Sequence, residues 1–117
     1  MNDRARRKEL QAEYKRTRPD AGVYRIVNSK NNKVFLGSTT DVAGIGKKLA
    51  FARSTNMSGV LDLRLRDDIR AFGIEAFSLE VLEVLETEPA MTTEEIRRDL
   101  ATLEELWREK LDPALLY

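Results

Sequence analysis

The sequence predicts an α+β domain: a small, mainly antiparallel three-stranded sheet, made of a hairpin and one later strand, flanked by helices. An extra helix precedes it. Three observations predict this. Residues 22–37, GVYRIVNSKNNKVFLG, read as two short β-rich runs around a polar turn, the pattern of a hairpin. Residues 77–86 open with Phe77, Leu79 and Val81 alternating against Ser78 and Glu80, a strand with one dry face and one wet face. Elsewhere the apolar residues recur at three to four positions, the period of an amphipathic helix.

Taken in order, residues 3–17 are good helix formers, with Leu10 and Tyr14 four apart on one face. Arg18-Pro19 ends that helix, because proline pushes its predecessor out of helical geometry. Residues 1–19 therefore read as a basic helix packed on a domain of residues 20–117. In the hairpin, Val23, Arg25 and Val27 alternate with Tyr24 and Ile26, and Val34, Phe35 and Leu36 form the return strand. Asn31-Asn32 suits the turn, since asparagine tolerates left-handed backbone and bonds its own chain.

A polar loop, Ser38-Thr39-Thr40-Asp41, supplies oxygens that cap the helix expected over residues 43–53. Ile45, Leu49, Phe51 and Ala52 give that helix its apolar surface. Residues 54–59 read as a loop. Residues 60–72 then read as an amphipathic helix with Leu61, Leu65, Ile69 and Phe72 on one stripe, ended by Gly73. After the strand at 77–86, Pro89 interrupts the chain. Thr92 with Glu95 makes a capping box. It starts a last helix running to about Leu111, striped by Ile96, Leu100, Leu103, Trp107 and Leu111. Three helices are enough to cover the apolar face of such a sheet.

Composition narrows the chemistry. The chain has 117 residues, no cysteine and no histidine. Disulfides, thiolate metal sites and a cysteine nucleophile are excluded. So are serine–histidine triads, histidine-liganded zinc and an imidazole base. Catalysis would rest on carboxylates, tyrosine, lysine, arginine or a bound metal's own water. No apolar run approaches the roughly 18 residues of a membrane span, and the basic start lacks the apolar core of a secretory signal. These features lead to the expectation of a cytoplasmic protein with no membrane partner.

Net charge is zero, but it is unevenly spread. Residues 1–18 carry seven cations against three anions, while residues 75–95 carry seven glutamates and no cation. The basic stretch reads either as a nucleic-acid contact or as a solvated helix face. Gly44-Ile45-Gly46-Lys47-Lys48 sits where a P-loop would, but Asp41 stands in the first glycine position and Lys48 in the Ser/Thr position, which rules that motif out. A looser reading keeps the backbone N–H groups at this helix start, with Lys47 and Lys48, as holders of one nucleic-acid phosphate.

Gly22-Val23-Tyr24 and Phe35-Leu36-Gly37, at this separation, resemble the signature of the GIY-YIG nuclease superfamily. Asn28, Asn32-Lys33-Val34, Asp41, Phe72-Gly73 before Phe77, and Glu104 three residues before Trp107 fit the same order. The resemblance covers about residues 22–111. The N-terminal helix and the closing residues 111–117 resemble a bacterial subgroup described as LuxR-like or ArsR-like regulator-associated.

The resemblance implies a small three-stranded sheet flanked by helices and metal-dependent cleavage of a DNA phosphodiester. It implies Tyr24 and Phe35 lining the site, with Gly22 and Gly37 as the motif glycines. Glu104 would be the ligand of one divalent cation, Mg²⁺ or Mn²⁺, whose Lewis acidity suits the chemistry. The site departs from the pattern. Phe35 stands in the place of the second tyrosine, without its hydroxyl. Ile45 stands where a phosphate-steadying arginine is expected, and Leu49 where a histidine is often found. Lys47, Lys48 or Arg53 are the candidates to replace the lost cation. Three readings stay open: an active endonuclease with a reassigned cation, a degenerate domain that binds DNA without cutting, and a module that contacts a protein partner or a second copy of itself.

Overall fold

The structure is a computed structural model that describes residues 18–57 and 61–117. The helix expected over residues 3–17 lies outside them. Strand β1 (Gly22–Asn28) is central, with β2 (Val34–Thr39) on one side and β3 (Phe77–Val84) on the other, in the order β2-β1-β3. Both pairings are antiparallel. Among the described residues three α-helices accompany the sheet: α1 (Val42–Thr55), α2 (Arg66–Phe72) and α3 (Thr93–Glu109). The α+β class, the single sheet and the flanking helices are as the sequence predicts.

The hairpin turn forms for the reason its asparagines suggest. Asn32 adopts φ 61°, and its N–H donates to the Asn28 carbonyl at 2.8 Å. The Asn28 and Asn31 side chains accept from the backbone N–H groups of Lys30 and Lys33, each at 3.0 Å. The register pairs Tyr24 with Gly37 and Ile26 with Phe35, so these residues share one face of the sheet. On that face Tyr24, Ile26 and Phe35 form a core with Leu49 and Ala52 of α1, with Leu65, Ile69, Ile74 and Ala76, and with Phe77 of β3. A second, smaller cluster joins Ala21 to Ile96 and Leu100 of α3.

Several boundaries differ from the expectation. The segment read as one helix over residues 60–72 begins instead with a short 3-10 turn, Leu63–Leu65, and becomes α-helical only at Arg66. Asp62 is extended and its side chain accepts from Arg64 N–H, an N-cap that starts the turn after Leu61. Phe72, expected on the buried stripe, is exposed, as is Phe51. Strand β3 ends at Val84 rather than 86. It is an edge strand whose Val81, read as dry, is 45% exposed. Of the α3 stripe, Ile96 and Leu100 are buried, while Leu103, Trp107 and Leu111 are only half-buried. Trp107 donates from Nε1 to Glu83 Oε1 at 3.0 Å instead of entering the core.

The last residues of the sequence return to the sheet. Leu116 bridges Val34 in parallel, and Tyr117 N–H donates to the Val34 carbonyl at 3.0 Å. The Tyr117 hydroxyl donates to Asp68 Oδ2 at 2.6 Å and accepts from Asn28 Nδ2 at 3.1 Å. Asn28 is fully buried, so this hydroxyl satisfies an amide that would otherwise lose its partner. One phenol thus ties the hairpin turn, α2 and the closing segment together.

Tyr117→Phe tests the tie. Its Tm is expected to fall by the equivalent of about 1–3 kcal/mol, a lost hydrogen bond plus a stranded buried amide. The tyrosine's bond holds the Asp68 carboxyl below its usual 3.8, and burial together with Asp68 holds the Tyr117 phenol above 10.0. The contribution is therefore present between these values. The stability gap between wild type and variant, measured by thermal melts, should be flat across neutral pH. It should shrink as pH falls through the acidic carboxylate range or climbs past about 10.

Candidate functional site

Tyr24 is the centre of the candidate site. It is 8% exposed, its ring lies in the core, and its hydroxyl has no hydrogen-bond partner among the described residues. Its position depends on Gly37 across the strand pair. A Cβ at Gly37 would lie 2.7 Å from both Tyr24 Cζ and Oη and 3.1 Å from Phe35 Cε1. Only a residue without a side chain lets the phenol reach the edge of β2. Gly22 serves packing in a similar way: a Cβ there would meet the Glu83 carbonyl at 2.5 Å, beside an irregularity in the β1–β3 register. Phe35 stacks at a tilt against Tyr24, with ring centroids 6.3 Å apart and planes at 37°.

Two further groups converge on this phenol from distant parts of the chain. Glu104 projects from α3, and Asp62 and Arg64 come from the turn before α2. Burial chiefly, then the negative charges of Asp62 and Glu104, push the Tyr24 phenol above its usual 10.0, with Arg64 opposing. The hydroxyl is accordingly neutral at physiological pH, a donor rather than a ready base. Glu104 is paired with Arg108 one turn along α3, Nη2 to Oε2 at 3.1 Å, which leaves Oε1 without a partner among the described residues. A groove of about 400 Å³ runs past Glu104, lined by Ser38, Thr39, Thr40, Arg97 and Ala101.

The remaining candidates fall elsewhere. Ile45 packs against the core and Leu49 is buried in it, so neither of these positions on α1 offers a polar group to the site. Lys47 and Lys48 are exposed, with no hydrogen bond or ion pair to a described residue. Arg53 donates from Nη2 to the Phe77 carbonyl at 2.8 Å and so fastens α1 to β3. The start of α1 is not open to a phosphate. Its N-cap is Asp41, whose carboxylate accepts from Gly44 N–H at 3.0 Å and takes up the backbone donor that an anion would use.

Arg64 is the cation that the sequence reading missed. Its guanidinium lies over the Phe35 ring, Cζ 4.8 Å from the centroid. Asp62 holds it by two bonds, Nε to Oδ1 at 3.0 Å and Nη2 to Oδ2 at 3.2 Å. The expected continuous helix over 60–72 gave Arg64 no role. The available signal was Asp62 itself, a capping residue two positions inside the supposed helix.

Among the described residues, no group of three or more His, Cys, Asp or Glu side chains stands together as a metal site. The donor set suits a hard divalent cation held by one carboxylate and otherwise by water and substrate oxygens. Glu104, with Oε1 free of partners among the described residues, is the residue that would supply that one ligand.

The fold is the one seen in solved structures of an endonuclease catalytic domain. A solved structure titled as the catalytic domain of homing endonuclease I-TevI aligns with a TM-score of 0.58 and 23% identity, over 83% of this chain and 95% of that one. A mutant of the intron endonuclease I-TevI catalytic domain aligns with a TM-score of 0.55 and 21% identity, over 79% and 84%. No protein-family profile matches the sequence, and no curated protein matches it significantly.

Two measurements check the geometry. Spectrophotometric titration of wild type against Tyr24→Phe should assign to Tyr24 a phenol that ionises above 10.0. Gly37→Ala should destabilise the fold by about 1–3 kcal/mol through overpacking against Tyr24. It should also bring that phenol's ionisation back towards the ordinary range as the ring is displaced.

Proposed function

We propose that the chain acts on nucleic acid at the Tyr24–Glu104 cleft, as a divalent-metal-dependent enzyme that hydrolyses a DNA phosphodiester. The observation that carries this reading is that the groove past Glu104 begins at Ser38, next to Gly37, against which the Tyr24 phenol lies. Residues from the first strand and the last helix, 80 positions apart in sequence, share one electrostatic site. Each has an unpaired polar atom among the described residues. The likeness in fold to an endonuclease catalytic domain agrees with this.

In this reading Glu104 holds Mg²⁺ or Mn²⁺ through Oε1. When bound there, such an ion would supply Lewis acidity towards the phosphate and a more acidic water. The neutral Tyr24 hydroxyl, fixed by Gly37, hydrogen-bonds the attacking water or a phosphate oxygen and aligns it. The groove beside Glu104 receives the flanking backbone, with Arg97 and the hydroxyls of Ser38 and Thr40 as phosphate contacts.

A second reading is that the domain binds DNA, or serves a regulator, without cutting. It draws on Phe35, which lacks a hydroxyl, on Ile45 and Leu49, which make the cation and histidine positions apolar, and on the tie between Arg108 and Glu104.

Plasmid nicking separates the two. Wild type with Mg²⁺ or Mn²⁺ should convert supercoiled to open-circular plasmid, and Glu104→Ala should slow this by about 10²-fold or more. It should lower the melting temperature by the equivalent of about 1 kcal/mol at most, since the half-buried side chain has only Arg108 as a partner among the described residues. Purified protein that retards DNA in a steeply salt-dependent way but never nicks with either metal would support the non-cutting reading. Absence of both effects at low salt would remove the nucleic-acid assignment.

A further inference from the structure

We propose that Arg64 is the cation that receives the phosphate at this site, laid on the ring of Phe35 and held by Asp62, in place of the helix-borne cation that Ile45 excludes. This rests on the reading of the cleft as a phosphodiester site and names a residue that reading leaves without a role. The geometry carries it. Phe35 occupies a β2 position facing Tyr24, with the two ring centroids 6.3 Å apart. Its bare face carries the Arg64 guanidinium at 4.8 Å, within the range of a cation–π contact. The same platform that lacks a hydroxyl therefore brings a positive charge to the site.

The guanidinium is placed rather than loosely exposed. Asp62 takes one N–H from Nε and one from Nη2. A guanidinium has five N–H donors, so three remain, on Nη1 and Nη2. Asp62 is itself held as the cap of the 3-10 turn, accepting from Arg64 N–H at 2.8 Å. The backbone and the side chain of Arg64 are thus fixed by one carboxylate. The side chain is 63% exposed, which leaves the remaining donors open to a ligand from solvent. Neither Lys47 nor Lys48 is comparably held, and Arg53 is engaged with the Phe77 carbonyl. A planar fork suits two phosphate oxygens in a way an ammonium does not.

The step it would assist is balanced without it. A water oxygen bonds to phosphorus, the P–O bond to the leaving ester oxygen breaks, and that oxygen departs with a proton. Arg64 transfers none. It binds non-bridging oxygens and offsets the charge that grows on them. Asp62 is a positioning residue: it touches Arg64 and no reacting atom.

The experiment joins nicking kinetics to phosphate titration of full-length protein. Arg64→Ala should lower the single-turnover nicking rate by about 10²-fold or more, with an unchanged melting temperature. Arg64→Lys should recover only part of the loss, because the charge returns without the fork or the stacking. Separately, in protein labelled with ¹⁵N-arginine, the Arg64 Nε–H resonance, assigned by its absence in Arg64→Ala, should shift as inorganic phosphate is added. Phe35→Leu should weaken that shift. Wild type that nicks while Arg64→Ala nicks within about threefold of it would overturn the assignment and leave the nuclease reading standing. Wild type that never nicks, with a phosphate-dependent shift at Arg64, would end the cutting and keep Arg64 as the phosphate site. An Arg64 resonance that ignores phosphate in a protein that does not nick would end both.

Discussion

The rest of the molecule depends on the close approach of β1 and β2 at Tyr24 and Gly37. Strand β1 is bonded on both sides, so its side chains have only the two sheet faces available to them. On one face the ring of Tyr24 must pass over β2, and it does so because Gly37 has no Cβ. That contact sets the depth of the phenol, its neighbour Phe35 and hence the surface on which Arg64 rests. It also puts the hydroxyl against Gly37, where burial pushes its ionisation further above the ordinary value. A site built this way is stiff at its base and open at its rim.

The rim is made of charges whose contributions differ. Glu104 and Arg108 form a half-buried pair one turn apart on α3, of a kind worth about 0.3–0.5 kcal/mol on a helix surface. Arg64 is exposed and Asp62 half-buried, and their bond is more a matter of orientation than of stability. Neither pair holds the fold together. The fold rests on Phe77, Ile26, Leu65 and Val23, all fully or almost fully buried, each contributing about 1.5–3 kcal/mol by leaving water. Charged residues at the site are therefore open to substitution with little loss of stability, which makes them accessible to kinetic tests.

The asparagine-rich turn shows how local chemistry and distant packing meet. Asn28 and Asn31 bond their own backbone, as short polar side chains in turns do. Their second functional groups then reach Tyr117 and Asp68. The turn is thereby clamped at the end of β1 opposite Gly22. The same strand carries a structural polar knot at one end and the candidate site nearer the other.

Much of this was written in the sequence, because strand alternation, turn residues and helix caps are local properties. The hairpin at residues 22–37, the capping box at Thr92 and the stop at Gly73 each follow from residues within a few positions of one another. The order of motifs, with Glu104 ahead of Trp107, also placed the late helix at the site. What local pattern could not supply was which apolar residues go inside. Phe72 and Phe51 sit at plausible helical spacing yet remain exposed, because burial depends on which neighbour covers each face. Arg64 was hidden for the same reason. It lies over Phe35, 29 positions earlier, and nothing short of the packed sheet brings the two together. The sequence alone determined the elements, the glycines and the loss of the helix-borne cation. Only the tertiary structure decided what the Arg64 guanidinium rests on, because the aromatic ring beneath it belongs to β2 and is brought there by packing.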